Sequence, residues 1–249
     1  MAVGKGWEGV VLKLLRGKDF TFTVTGAEQV TPQYRRIRFT DGGLLAAAGD
    51  SLHPTMWVRL WFADNGKPHQ RAYTLVDPDP AAGTFALEFA LHDGVASDWA
   101  RSAAVGDTID ATVQGTGFTA PAPAPERLLV IGDPASLPAI NSLLDAYPQT
   151  PATIWFETQH EADADLPVRL DPDRHEIRRV PRTGAGTGLV EQIHAELPAL
   201  AADREGAYVW LACDTATTRT LTGYLRKDLG LPKQRVNSLG YWRPTAAQV

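Results

Sequence analysis

The segment richest in chemistry is Gln70-Arg-Ala-Tyr-Thr74, followed by Glu88-Phe-Ala-Leu-His92 and Asp93-Gly-Val-Ala-Ser-Asp-Trp-Ala100. In a strand, Arg71 and Tyr73 point to the same side. The fork of donors on Arg71 matches phosphate oxygens and suits a pyrophosphate. Tyr73 offers a flat face to an aromatic ring and a hydroxyl at its edge. Thr74 points the other way and meets the same ligand only at a strand end or through its backbone. A second reading is a barrel strand with a snorkelling Arg71 and a half-buried Tyr73; spacing alone leaves both open. Gly94 to Ala100 reads as a turn entering a helix, whose unpaired N–H groups and dipole suit an anion. Gly94, Ala96 and Ser97 are small enough for a phosphate to approach the backbone. Ser97 also reads as an N-cap, and the two roles are compatible. Taken alone, His92 reads as a hydrogen-bonded structural histidine.

The elements that must hold these residues change character along the chain. Before residue 119, strand-like runs cover 20–24, 34–40, 56–62, 72–76, 84–91 and 108–113, punctuated by Asp-Gly, Asn-Gly, Asp-Pro and Ala-Gly pairs. Six such strands with one short helix near 97–104 predict a small antiparallel barrel. Trp7, Val11, Leu14 and Leu15 share one helical face, which predicts an N-terminal amphipathic helix docked on the barrel. Thr119-Ala-Pro-Ala-Pro-Ala-Pro125 interrupts the chain with alternating prolines, which favour a stiff, extended connection. The expected organisation is therefore a barrel over 1–118, a linker over 119–125 and a second domain over 126–249.

In that second domain, strands at 128–132, 153–157, 176–180, 208–212 and 235–242 alternate with helices at 138–147, 189–200 and 216–229. This rhythm predicts βαβ units and a mainly parallel sheet. Gly132-Asp-Pro-Ala-Ser136 leaves the first strand and opens a helix, the place for a nucleotide phosphate. Glu157, ending the next strand, has the reach of a ribose 2′-hydroxyl, which favours NADH; Arg178 and Arg179 keep NADPH open. Thr183-Gly-Ala-Gly-Thr-Gly188 has the spacing G-x-G-x-G and follows the third strand, so it reads as a flexible loop and not a dinucleotide cradle.

Composition narrows the classes further. The 249 residues are 44% hydrophobic and 21% charged, with 24 Lys plus Arg against 29 Asp plus Glu. A net charge of −5 argues against general nucleic-acid binding. Its distribution is uneven: +2 over 1–50, −10 over 51–200 and +3 over 201–249. One cysteine, Cys213, excludes an internal disulfide. No apolar run approaches the roughly 18–20 residues that span a bilayer, and Lys5, Glu8 and Lys13 interrupt the start of the chain. A soluble, cytoplasmic protein without stable membrane insertion is expected. The six histidines are scattered without metal-ligand spacing, so no protein-held metal is expected, and no G-x-S-x-G elbow is present.

A barrel followed by a parallel-sheet domain suggests, by fold analogy, one half for a flavin and one for a nicotinamide. The motifs sharpen this. Arg71-x-Tyr73-Thr74, His92-x-Gly94-x-Ala96-Ser97-x-Trp99-Ala100 and Gly106-Asp107 resemble the siderophore-interacting protein family of FAD-dependent ferric-siderophore reductases. So do Gly132-Asp133 with Leu137-Pro138-Ala139, Trp210-Leu-Ala-Cys-Asp214 with Arg219, and Gly240-Tyr-Trp-Arg243, in order from about Phe20 to Arg243. The resemblance implies a ferredoxin-reductase-like fold of β plus α/β type, with a six-stranded FAD-binding barrel before a nicotinamide-nucleotide-binding-like domain. It implies FAD held by Arg71, Ala72, Tyr73 and Thr74, by His92, Gly94, Ala96, Ser97 and Trp99, and by the closing Tyr241 and Trp242. A nicotinamide donor would meet Gly132, Asp133, Ser136, Glu157, Cys213 and Asp214. Anionic ferric siderophores would dock on basic residues toward the two ends: Arg35, Arg36 and Arg38, then Lys233, Arg235 and Arg243.

Three departures bear on the electron donor. Val76 stands where the family commonly has an Arg, Pro134 and Ala135 replace an acid and Thr, and Cys213-Asp214 replaces Gly-Glu. Cys213 reads as a nicotinamide contact or as an inert buried thiol. NADH, NADPH and a protein reductant such as ferredoxin all stay open. Two other functions do as well: an FAD-containing siderophore-binding protein without its own NAD(P)H reductase activity, and a general flavin or ferredoxin-type electron-transfer reductase.

Overall fold

A computed structural model describes residues 18–64 and 66–244. The amphipathic helix expected at Trp7 to Leu15 lies outside the described residues. The chain divides into two compact units, Met1–Phe118 and Thr119–Val249.

In the first unit, alternating apolar residues build a curled antiparallel sheet with a filled concave side. Its strands are β1 (Lys18–Thr31), β2 (Tyr34–Thr40), β3 (Trp57–Asp64), β4 (Lys67–Thr74), β5 (Val76–Asp79), β6 (Thr84–Ala90) and β7 (Thr108–Val113). Their order is β4-β3-β7-β1-β2-β6-β5. Phe22 and Val24, Ile37 and Phe39, Val58 and Leu60, and Phe85, Leu87 and Phe89 lie two apart and are buried together, as the period of a half-buried strand requires. Phe22 stands edge-on to Phe85 with ring centroids 4.9 Å apart, and Phe39 stacks on Phe85 at 5.6 Å. Such pairs add about 0.5–1.5 kcal/mol beyond their buried area. The sheet has seven strands, not the six expected, because the run placed at 72–76 divides. Leu75 turns into the core and donates its N–H to the Met56 carbonyl at 2.8 Å, and Asp77 takes a positive φ of 46°. Two short helices, α1 (Leu44–Ala48) and α2 (Val95–Ser102), pack on this sheet.

The second unit is a five-stranded sheet in which every pairing is parallel. It comprises β8 (Arg127–Gly132), β9 (Ala152–Thr158), β10 (His175–Pro181), β11 (Ala207–Ala212) and β12 (Val236–Ser238), ordered β10-β9-β8-β11-β12. Strands β8, β9 and β11 are buried on both faces, which is why they read as continuous apolar runs. Edge strand β10 carries Glu176, Arg178 and Arg179 instead. Helices α3 (Leu137–Ala146), α4 (Thr187–Leu200) and α5 (Thr215–Gly223) join the strands. The single helix expected over 216–229 ends at Gly223 and continues as a π turn over Tyr224–Asp228, closed by Leu229 N–H on the Tyr224 carbonyl at 3.0 Å. The expected closing strand is likewise shorter. Beyond Ser238 the chain runs alongside β11 through Leu239 N–H to the Leu211 carbonyl and Tyr241 N–H to the Cys213 carbonyl, and reaches an isolated bridge between Asp214 and Trp242. Among the described residues, no helix is long and apolar enough to cross a membrane.

Strand order reverses between β8 and β11. In an open parallel sheet this reversal leaves a crevice at the carboxyl ends of the strands, where ligands collect. The segments leaving those ends are Gly132-Asp133 and Ala212-Cys213-Asp214.

Candidate functional site

In the first unit, the β3–β4 register pairs Leu60 with Arg71, Val58 with Tyr73 and Trp57 with Thr74. Opposed residues share a face, so Arg71 and Tyr73 lie on the concave side while Ala72 and Thr74 lie on the other. Arg71 is exposed and donates one N–H to the Gln70 carbonyl at 2.7 Å. Tyr73 packs on Phe89 with centroids 4.3 Å apart and edge-on to Phe62 at 6.3 Å. Burial pushes its phenol well up, against an opposing pull from the Arg71 charge, so it stays protonated. Thr74 is buried. Its side chain is directed away from the Arg71–Tyr73 face, which leaves its backbone as the part within reach of a ligand there.

Trp99 of α2 uses the same aromatic floor. Its ring lies 5.9 Å from Phe62, 6.0 Å from Phe89 and 6.4 Å from Phe39, the last nearly parallel. Phe62 and Phe89 therefore join Tyr73 on β4 to Trp99 on α2. Gly94 occupies the cap position of α2, and no side chain caps the helix there. Ser97 is not the N-cap expected from the sequence. It lies one turn inside, buried, and its hydroxyl turns back to accept the His92 N–H at 3.1 Å. His92 is exposed, with Nδ1 2.7 Å from the Asp93 carbonyl. An exposed guanidinium, an aromatic face and a helix start without a side-chain cap form a donor set that fits a dinucleotide's phosphates and ring. Val76 is buried in the sheet, so it offers no phosphate contact.

The second unit concentrates charge at its crevice. Gly132 packs so tightly that an added Cβ would fall 2.3 Å from Ser136 Oγ and 2.8 Å from Ile140 Cδ1. Asp133 and Ser136 cap each other: Asp133 N–H donates to Ser136 Oγ at 2.9 Å, and Ser136 N–H to Asp133 Oδ1 at 3.2 Å. Asp214 caps α5, accepting the N–H groups of Ala216 and Thr217 at 2.9 and 3.0 Å. Between them, Arg182 Nη1 donates to Glu157 Oε2 and, at 3.2 Å, to Asp214 Oδ2. The Arg182 guanidinium faces the Trp242 ring 5.0 Å from its centroid, and Trp242 Nε1 donates to Asp133 Oδ2 at 2.6 Å. Asp133, Glu157 and Asp214 are all fully buried.

Burial pushes the Asp133 carboxyl up to about 7, against the Trp242 hydrogen bond that pulls it down. It likewise raises Glu157, with Arg182 opposing. For Asp214 burial is outweighed by the Thr217 hydrogen bonds and the Arg182 charge, and its carboxyl lies low.

Several expectations for this half change. Glu157 is fully buried and bound to Arg182 inside the fold, so the carboxylate expected at a ribose is not exposed here. Cys213 is fully buried beside Thr218 Oγ1 at 3.4 Å; burial and the Asp133 charge push its thiol well up, an environment that matches the buried-thiol reading of the two. Arg235 is fully buried and donates to the Pro123 carbonyl at 2.9 Å, which removes it from any docking surface. Arg36 is held by Asp77 at 2.5 Å and Glu88 at 3.4 Å, while Lys233 and Arg243 are exposed. Arg182 was not singled out from the sequence. The usable signal was three acids ending or following parallel strands that require a cation, with Arg182 directly after β10.

A curled antiparallel sheet followed by a 3-2-1-4-5 parallel sheet defines the ferredoxin-reductase class of folds. A ferredoxin NADP+ reductase from Neisseria gonorrhoeae, with bound FAD and NADP, matches 90% of this chain and 99% of its own with a TM-score of 0.67 at 16% identity. The chain belongs to the siderophore-interacting protein family: residues 51–115 match its siderophore-interacting FAD-binding domain and residues 125–245 its siderophore-interacting protein domain. A siderophore-interacting protein from Acinetobacter baumannii has a TM-score of 0.77 at 22% identity, covering 93% of this chain and 94% of that one. The mycobactin import ATP-binding/permease protein IrtA of Mycobacterium tuberculosis is 33% identical over 248 residues, 96% of this chain and 28% of that protein. The chain thus spans little more than a quarter of that relative. The ferric acinetobactin reductase of Acinetobacter baumannii is 24% identical over 206 residues, covering 78% of this chain and 70% of that protein.

Proposed function

We propose that this protein uses FAD to reduce iron(III) inside a siderophore to iron(II), releasing the metal in the cytoplasm. The observation that carries the reading is the placement of Arg71 and Tyr73 on one face of β4, over the aromatic floor that Tyr73 shares with α2. When bound, FAD supplies hydride acceptance and one-electron donation. Arg71 holds the pyrophosphate through its exposed fork, and the backbone at Ala96 and Ser97 receives a phosphate at the start of α2. Tyr73, protonated and braced by Phe89, presents its flat face to the isoalloxazine. Ala72 and Thr74 add backbone contacts, and His92 and Gly94 flank the adenine side. Iron arrives within its chelator as substrate, so no side chain need act as a metal ligand, acid or base. Hard oxygen donors bind iron(II) more weakly than iron(III), and reduction loosens the complex. Exposed Lys233 and Arg243 favour an anionic ferric siderophore. The relatives named for mycobactin import and for ferric acinetobactin reduction support a siderophore as substrate.

A second reading shares the flavin and differs in the donor. Asp133 and Asp214 already occupy helix starts beside the crevice, and Glu157 is bound to Arg182. This arrangement favours a siderophore-binding flavoprotein that takes electrons from a protein such as ferredoxin instead of from NADH or NADPH. Anaerobic stopped-flow mixing of the FAD-loaded protein with each nicotinamide separates the two readings. Rapid bleaching of the flavin supports a nicotinamide donor, and persistent yellow colour supports a protein donor. A preparation that binds no FAD overturns both.

A further inference from the structure

We propose that Arg36 is a positioning residue for Tyr73: its clamp on Asp77 and Glu88, on the outer face of the first unit's sheet, fixes the seam across which Tyr73 packs on Phe89. That role rests on the reading of Tyr73 as a flavin-facing group, within the stretch 51–115 that matches the siderophore-interacting FAD-binding domain. Strands β4 and β5 are the opposite edges of the sheet. Only Leu75 separates Thr74, the last residue of β4, from Val76, the first of β5. The sheet therefore closes on itself directly after the Arg71–Tyr73 segment. Backbone pairing adds little to the closure, because β5 meets β6 at Val76–Ala86 and Asp79–Thr84 with an irregular register between them.

Side chains hold the seam on both faces. On the inner face, Tyr73 of β4 packs on Phe89 of β6 with ring centroids 4.3 Å apart. Neighbouring residues of a strand point to opposite faces, so Glu88 stands on the outer face, directly opposite Arg36 of β2. Arg36 Nη1 donates to Glu88 Oε1 at 3.4 Å, and its Nη2 donates to Asp77 Oδ2 at 2.5 Å. One guanidinium thus joins β6 to β5. Glu88 is buried and braced by Tyr34, whose hydroxyl donates to Oε2 at 2.8 Å. Asp77 reaches Arg36 from a φ of +46°, a strained backbone that persists where its surroundings over-determine it. With Leu75 as the only link, a shift of Asp77 away from β6 is passed to Thr74 and to the Tyr73 ring.

The test uses the full chain. FAD is titrated into the apoprotein, and the visible absorption bands of the bound flavin are recorded. Arg36→Met removes the clamp, and Arg36→Lys is the conservative counterpart. Asp77→Asn loosens only the arm to β5. It keeps a side chain that tolerates positive φ and leaves the buried Glu88 with its cation, which guards against misfolding. Arg36→Met and Asp77→Asn should weaken FAD binding roughly tenfold, a coupling typical of neighbours in one network. The flavin bands should shift toward those of free FAD, with partial recovery in Arg36→Lys. In a Tyr73→Leu background the same two substitutions should cost no further affinity, because they act through Tyr73. Unchanged affinity and bands in Asp77→Asn overturn the proposal, and so does an equal loss with and without Tyr73. If Arg36→Met does not fold, Asp77→Asn decides alone. If the wild-type protein binds FAD but releases no iron, the proposed function fails while the titrations still decide the role of Arg36. A wild-type protein that binds no FAD overturns both.

Discussion

Trp242 Nε1 donates to Asp133 Oδ2 across 2.6 Å, joining the last described segment of the chain to the exit of the first parallel strand 109 positions earlier. The acceptor is fully buried, so the bond cannot be exchanged for water without opening the fold. Trp242→Phe removes the donor and strands a buried carboxyl oxygen, at a cost of about 1–3 kcal/mol. Urea unfolding should show a lower midpoint with an unchanged slope. An unchanged midpoint would mean that the bond contributes nothing.

Asp133 also makes stability depend on pH in a particular direction. Its carboxyl is raised from the ordinary range near 4 to about 7 in the folded protein. The folded state therefore holds the proton more tightly than the unfolded one. The contribution is fully present below about pH 4 and is lost as pH rises through about 7. Asp133→Ser retains a capping oxygen without the titration. Relative to that variant, wild type should be more stable at pH 5 than at pH 8. Parallel pH profiles of the two proteins would contradict this.

Much of the fold was legible because burial leaves a period in the sequence. Strands β1, β2 and β6 show the two-residue alternation of a half-buried sheet, and β8, β9 and β11 show the unbroken apolar runs of a sheet covered on both faces. Strand β5 escaped because Val76-Asp-Pro-Asp79 has no alternation and owes its place to the turn at Leu75. Arg71 and Tyr73 were legible as a pair since strand geometry alone puts them on one face. The Arg182 cluster was not. Its partners lie 25 and 32 positions away, and only the strand order brings them together. Burial similarly took Glu157 and Arg235 off the surface where they were expected, and it matches the buried-thiol reading of Cys213, because residue type does not reveal which side of a strand end is covered.

Gly132 sits where β8 hands over to Asp133, against Ser136 Oγ and Ile140. Gly132→Ala should overpack this junction and destabilise the second unit by about 1–3 kcal/mol. Thermal melting should show a lowered transition, while Gly43→Ala, where no atom lies within 4 Å of the added methyl but φ is +88°, reports backbone strain without collision. Equal losses in the two variants would remove the packing explanation.

Arg71 is exposed and has no carboxylate partner among the described ion pairs, so its removal should leave the fold intact. Arg71→Ala should weaken FAD binding by roughly 10- to 150-fold, the equivalent of about 1.5–3 kcal/mol for a hydrogen bond to a charged group. Titration of the apoprotein, followed by quenching of flavin fluorescence, measures it directly. Unaltered affinity would place the pyrophosphate elsewhere.

The central claim is tested by one anaerobic experiment on the FAD-loaded protein. The flavin is photoreduced, mixed with a ferric siderophore, and followed by its absorbance together with a ferrous-specific chelator. The account predicts reoxidation of the flavin with about two ferrous ions trapped per FAD, since each flavin carries two electrons. A reduced flavin that persists beside an intact ferric siderophore would contradict it.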